Sequence, residues 1–227
     1  MRGGGDRRGR APLNSVEGYV RQVVGWREFI NGVYWFRGPE YKMSNSLGAN
    51  RPLPDWFYTA QTGMNCLHHV LKQNLELGWN HHIQRLMVLG NFCLISGISP
   101  QEALRWYNEM YVDAYDWVMA PNVLGMSLYA DGGYMASKPY AATSTYINRM
   151  SNYCAGCRFD PEQKTGPDAC PYNYLYWCFI DEHAERFAPN PRMRSIVGGW
   201  LRRSDANKEM VRESARQFLQ VEVPDST

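Results

Sequence analysis

A chain of 227 residues is long enough for one sizeable hydrophobic core, and its net charge of +2 excludes a polyelectrolyte, so any nucleic-acid surface has to be a local patch. Six cysteines are too sparse for a disulfide scaffold, and no run of eighteen apolar residues offers a transmembrane helix. The opening MRGGGDRRGR lacks the apolar core of a secretory signal, so a reducing cytoplasm with no membrane partner is the expected setting. Aromatic residues are abundant at 14%, with 8 Trp and 15 Tyr, which suits either an aromatic-rich helical surface or a protein that stacks planar ligands.

In chain order the punctuation is helical. Residues 1–12 read as a disordered or arbitrary start, and residues 13–227 as one domain. Asn14 and Glu17 have capping-box spacing, and VEGYVRQVVGWREFINGVYW after them carries apolar residues at helical intervals. A polar loop is expected over 37–55, then a helix over 63–77 that Gly78 stops. Asn80 is placed to cap a third helix, HHIQRLMVLGNFCLIS, ended by Gly97. Ser99-Pro100-Gln101-Glu102 is the cleanest helix start, opening a helix over 100–114. Residues 115–136 read as mixed, with turns at Pro121-Asn122 and Asp131-Gly132-Gly133. Further helices are expected over 140–150, 172–187 and 204–219. No β alternation of useful length occurs, so the fold class is all-α.

Three constellations carry chemistry. The stretch CAGCRFDPEQKTGPDACP sets Cys154 and Cys157 with two residues between them and Cys170 after twelve more, a soft-donor pattern suited to Zn²⁺ or an iron–sulfur cluster. Spacing leaves the fourth ligand open among Cys66, Cys93, Cys178 and His183, with zinc the default. The Cys170-Pro171 step is like the ending of ferredoxin cysteine runs. In GWNHHIQRLM, His81 and His82 are adjacent and so cannot share one helix face as a metalloprotease pair does. Arg85 and Asp113 lie on consecutive expected helices, where a buried ion pair is plausible. In LRWYNEMYVDAYDWV, the aromatics Trp106, Tyr107, Tyr111, Tyr115 and Trp117 crowd one helix, with Asp113 and Asp116 three apart.

WREF at 26–29, Thr62-Gly63, the GW-x-H of 78–81, Arg85 and the Asp113/Asp116 region resemble the flavin-binding helical domain of photolyases and cryptochromes. ADGG at 130–133, KPYA at 138–141, YINRMSNYCAGC at 146–157 and ACPYN-x-LYW up to Trp177 resemble, more narrowly, the iron–sulfur bacterial members, which include prokaryotic (6-4) photolyases. The match runs over about residues 13–220.

The resemblance implies a [4Fe–4S] cluster on Cys66, Cys154, Cys157 and Cys170, leaving Cys93 and Cys178 as ordinary thiols. It implies an FAD pocket whose second half includes Trp79, His82, Arg85, Asp113, Asp116 and Asn122. Trp106 and Tyr107 match the family's electron chain, and Tyr58 falls where a further aromatic relay is expected. The implied activity is light-driven repair of pyrimidine (6-4) photoproducts in UV-damaged DNA, by electron transfer from reduced FAD to a flipped-out lesion. His82 is the expected proton donor, with His81 the alternative, because an imidazole titrates near neutrality. Trp26, Lys138, Tyr140 and Tyr146 are expected on the lesion side, and Arg192, Arg194, Arg202 and Arg203 are candidates for phosphate contacts.

The family pattern also implies an N-terminal antenna domain with its chromophore, and the first half of the flavin domain, ahead of Asn14. The chain is thus expected to be the C-terminal portion of a protein that is monomeric at full length. The competing expectations are a cryptochrome-type photoreceptor without repair, and a cluster-only helical fragment that binds no flavin.

Overall fold

Pro12 supplies the first accepting carbonyl of a long rod, taking hydrogen bonds from the N–H groups of Ser15 and Val16 in a computed structural model that describes residues 11–223. The rod comprises α1 (Leu13–Val20), a π-helical stretch over Arg21–Trp26, and α2 (Arg27–Arg37). Asn14 therefore sits inside the first turn and accepts only from Ser15, so the expected capping box does not form. The opening MRGGGDRRGR lies outside the described residues.

After a short 3₁₀ turn over Pro39–Met43, α3 (Trp56–Thr59) leads into α4 (Asn65–Leu77). Helix α4 buries Cys66, Leu67, Val70, Leu71 and Asn74, one stripe of a 3.6-residue period. Gly78 ends it at φ +61°, in the left-handed region that only glycine enters without strain, and a side chain there would meet Val112. A π stretch over Gln84–Gly90 runs directly into α5 (Asn91–Ile95). The cap of that helix is His81, whose Nδ1 accepts from the Ile83 N–H, and not Asn80. Asn80 is instead buried: its amide donates to the Val70 carbonyl and its Oδ1 accepts from Tyr111.

Helix α6 (Pro100–Met110) starts as its sequence indicates, with Ser99 Oγ accepting from the Glu102 N–H. The return half of the box is absent, because the Glu102 carboxylate takes the Leu53 N–H at 2.6 Å. Residues 116–127 depart from the expected turns. They form α7 (Asp116–Ala120), which continues without a break into a third π stretch, Pro121–Ser127. Pro121 has no N–H to give an α ladder and its ring crowds the preceding turn; the wider π turn and the Asn122 amide, bonded to the Val118 carbonyl, accommodate both.

The chain closes through α8 (Ser144–Met150), α9 (Pro171–Glu182), α10 (Ala184–Phe187), α11 (Arg194–Leu201) and α12 (Asp205–Glu222). The helix expected over 172–187 breaks at His183, whose ring packs between Phe179 and Phe187. Helix α11 escapes propensity reading because it carries Gly198 and Gly199. Helix α9 is apolar nearly all round and is accordingly the central element, with α5, α11 and α12 against it. Among the described residues there are no strands, only isolated bridges at Arg51–Ile98 and Asp160–Ala169, and the all-α class holds. No helix of these residues is long and apolar enough to cross a membrane.

Candidate functional site

Two separate places gather the chemistry-bearing side chains. The first is an open pocket of about 560 Å³, bounded by residues of all three π stretches among the described residues. Gln22 and Trp26 come from the first, Arg85 and Leu86 from the second, and Asn122, Val123, Met126 and Ser127 from the third. A π turn pushes one extra residue into the helix circumference, which is why such turns recur where a helix has to open onto a ligand. The second and third stretches cross at Gly90, where a Cβ would stand 1.9 Å from Ser127 Oγ.

The polar anchor of the pocket is Arg85. Its guanidinium makes a bidentate pair with Asp113 at 2.8 and 2.9 Å, and its Nε donates to the Asn80 carbonyl at 2.9 Å. The guanidinium lies 4.1 Å above the Tyr111 ring, which stacks on Tyr107. Tyr107 in turn donates to the Arg85 carbonyl at 2.7 Å. The Arg85 side chain is 16% exposed and Asp113 48%, so the pair forms one polar edge of the pocket with its carboxylate turned to solvent.

His82 lines the same wall with its imidazole held below the ordinary value, by desolvation first and then by the neighbouring charges of His81, Arg85 and Arg27. Among the described residues the ring makes no hydrogen bond, so both nitrogens are open to whatever enters. Trp79, His81, Tyr107, Asp113 and Asn122 complete the set of expected residues that line the pocket.

Other expected residues fall elsewhere. Asp116 turns away to accept from Tyr34 at 2.5 Å and to pair with Lys42; desolvation opposes its ionisation, but these partners outweigh it and hold the carboxyl low. Trp106 is fully buried, edge-on to Tyr107 at 5.1 Å, to Tyr111 and to Phe57. Tyr58 is exposed at the surface, 3.5 Å from the Glu109 carboxylate. Tyr146 packs beside the pocket against Leu86, Met87 and Met126, the cluster that Trp26 of the pocket lining also packs against, whereas Lys138 and Tyr140 lie outside the lining. Arg203 is committed to the stacked Trp177 and Trp200, 3.8 Å over the first ring, and Arg192 to Ser137. Sequence reading missed Gln22, Arg27 and Ser127 as pocket residues. Only Arg27, inside the WREF motif, carried a signal.

The second place is a small apolar cavity lined by Cys66, Cys154, Cys157 and Cys170, with Met64, Ile147, Phe159 and Tyr172 between them. Cys66 sits in the first turn of α4, and Cys170 caps α9 directly ahead of Pro171. The intervening loop is fixed by backbone bonds from Cys157 to Cys154 and from Cys170 to Asp160. Burial drives the Cys66 thiol well above its usual value, reinforced by Cys170, Cys154 and Cys157 in that order. Burial also pushes Cys170 up to about 12 and raises Cys154. Cys66, Cys154 and Cys170 therefore resist carrying a thiolate without a compensating cation. Among the described residues no group of His, Cys, Asp or Glu is placed to hold a metal ion, so the thiols ring a void and do not converge on a single point. Cys93 is buried apart in the core, and Cys178 and His183 line a different small cavity. The two places are joined by Tyr172, which lines the cysteine cavity while its hydroxyl donates to the Val88 carbonyl in the second π stretch.

No family model matches the chain. Over 211 residues, 93% of its length, it is 48% identical to the (6-4) photolyase of Agrobacterium fabrum. The chain belongs to the photolyase family. It spans 42% of the length of that photolyase. A second relative, the uncharacterized protein R855 of Acanthamoeba polyphaga mimivirus, is 37% identical over 101 residues, 44% of this chain and 75% of the viral protein. The helical architecture is that of the photolyase helical domain, and the arginine, histidines and cysteines that carried the resemblance are the residues gathered at the pocket and the cavity.

Proposed function

We propose that this photolyase chain provides one side of an FAD site for light-driven repair of pyrimidine (6-4) photoproducts in DNA. The observation that carries the reading is the convergence of Trp79, His82, Arg85, Asp113 and Asn122, far apart in sequence, on one pocket. The donor set fits a large aromatic cofactor with polar edges. Arg85 and Asp113 present a preformed charged edge, Trp79 and Trp26 offer flat apolar surface, and Ser127 keeps a buried hydroxyl with no partner. Bound there in reduced form, FAD supplies the photoexcited electron that the repair needs. The protein's own part is to hold, dry and protonate. Tyr107 and Tyr111 brace Arg85 from below, and the Asp113 carboxylate fixes its plane.

His82 moves the proton. Desolvation and its cationic neighbours make its protonated form a readier acid than a free imidazole, and with no protein partner it is free to donate to a base in the pocket. Protonated His82 is lost as pH rises through a value below the ordinary 6.5. The His82-dependent step is therefore favoured on the acid side. Trp106, edge-on to Tyr107, is placed to return electrons towards the pocket through buried rings.

Four cysteines lining one apolar cavity suit a soft, thiolate-held centre, and the family resemblance favours an iron–sulfur cluster over zinc. We assign that cluster, of the [4Fe–4S] type, to Cys66, Cys154, Cys157 and Cys170, as the clamp that holds the 150–170 segment against α4 and α9.

Blue-light repair of a (6-4) oligonucleotide by the FAD-loaded protein tests the reading. His82→Ala abolishes repair and leaves flavin photoreduction intact, while Trp106→Phe slows photoreduction. Photoreduction without repair in the unsubstituted protein would favour a signalling photoreceptor, and a protein that takes up no flavin would remove both.

A further inference from the structure

We infer that Ser127 is a cofactor-contact residue of this pocket, its hydroxyl donating a hydrogen bond to an oxygen or nitrogen acceptor on the bound cofactor; the inference rests on the flavin reading above. Ser127 is 5% exposed and lines the pocket beside Arg85, Tyr107 and Asn122. Its Oγ is buried and has no hydrogen-bond partner.

A serine in or beside a helix has a default remedy, donation to the carbonyl four residues back. The chain uses it elsewhere: Ser151 donates to Ile147 at 2.8 Å and Ser214 to Met210 at 2.9 Å. Ser127 does not. The carbonyl four residues behind it belongs to Val123; in the widened turn it accepts from the Leu128 N–H at 2.9 Å and takes no bond from Ser127. The opposing helix offers no substitute either. Gly90, the residue that faces Ser127 Oγ, has no side chain, and the nearby Arg85 carbonyl accepts from Tyr107 and takes no bond from Ser127.

A buried hydroxyl without a partner destabilises a fold, and removal of such a group is neutral or favourable. At an ordinary core position alanine would serve better. Two features surround the hydroxyl: a π turn whose Val123 carbonyl bonds one residue beyond Ser127, and a glycine that leaves room for the oxygen. Both features lie on the wall that faces the pocket. The partner is therefore supplied from the pocket, and it is an acceptor on the occupant.

The test is Ser127→Ala, read in two measurements that a structural and a ligand role move in opposite directions. Urea unfolding of the FAD-free chain is expected to show the variant at least as stable as the unsubstituted chain. Titration with FAD, followed by flavin fluorescence, is expected to show binding weakened roughly fivefold to tenfold, the effect of one neutral hydrogen bond. A variant that loses stability while FAD affinity stays unchanged would make Ser127 a structural residue and overturn the inference. So would a variant unchanged in both. If the unsubstituted chain binds no FAD, the flavin reading itself fails and takes the inference with it; if it binds FAD and the variant binds equally well, only the role of Ser127 is lost.

Discussion

Replacing Gly90 by alanine adds one methyl group where the second and third π stretches cross. The ideal Cβ lands 1.9 Å from Ser127 Oγ, 3.2 Å from its Cβ and 3.0 Å from the Arg85 carbonyl. Carbon and oxygen normally stay more than 3 Å apart, so the helices have to separate by about 1 Å or the serine has to rotate into the pocket. Overpacking of this kind costs about 1–3 kcal/mol. Alanine returns about 1 kcal/mol through its higher helix propensity, which leaves a net loss of about 0–2 kcal/mol. Urea unfolding of Gly90→Ala, Ser127→Ala and the double variant separates these terms. The double variant lacks the clashing oxygen, so a coupling of about 1–2 kcal/mol is expected between two sites that share no bond. A Gly90→Ala protein that is stabilised by the full propensity gain, or a cycle that adds without coupling, would show that the two stretches do not meet as described.

Serine substitution of Cys66, Cys154, Cys157 or Cys170 is expected to remove bound iron and the broad visible shoulder of the purified protein, whereas Cys178→Ala keeps both; iron content and absorbance decide it. Asp113→Asn should cost less than about 1 kcal/mol in urea unfolding, because the carboxylate is half exposed, yet weaken FAD binding at least tenfold by freeing Arg85. Asp181 supplies a pH test. Desolvation opposes its ionisation, but hydrogen bonds from Arg212 and Trp200 outweigh it and lower its value below 3.8. Its contribution is complete above the unfolded value and vanishes as pH falls through the folded one. The stability gap between the unsubstituted chain and Asp181→Asn should therefore be widest near pH 7 and close below about pH 3, with Trp200 fluorescence as the reporter.

Periodicity sufficed for α4, α6 and α12, whose buried residues follow the 3.6-residue spacing. It failed at 116–127, where Pro121-Asn122 has the composition of a turn but the chain continues as a widened helix. Local composition cannot reveal a π turn, because its stabilisation comes from the neighbouring helices and not from residue preference. Asn80 misled for a related reason: cap chemistry and core chemistry use the same side chain, and the burial that decides between them is tertiary. The pocket residues that motif reading reached, Arg85, His82 and Asn122, are chemically conspicuous. Ser127 is not, and it is singled out only in three dimensions, as an unpartnered buried hydroxyl on the pocket wall.

Tyr172 gives the two sites a common fate. It follows Cys170 by two residues, faces the thiols with its ring, and grips the Val88 carbonyl three residues beyond Arg85 with its hydroxyl. A displacement at the thiols would thus reach the second π stretch through one phenol, and on the flavin reading flavin retention would report the state of the cysteines.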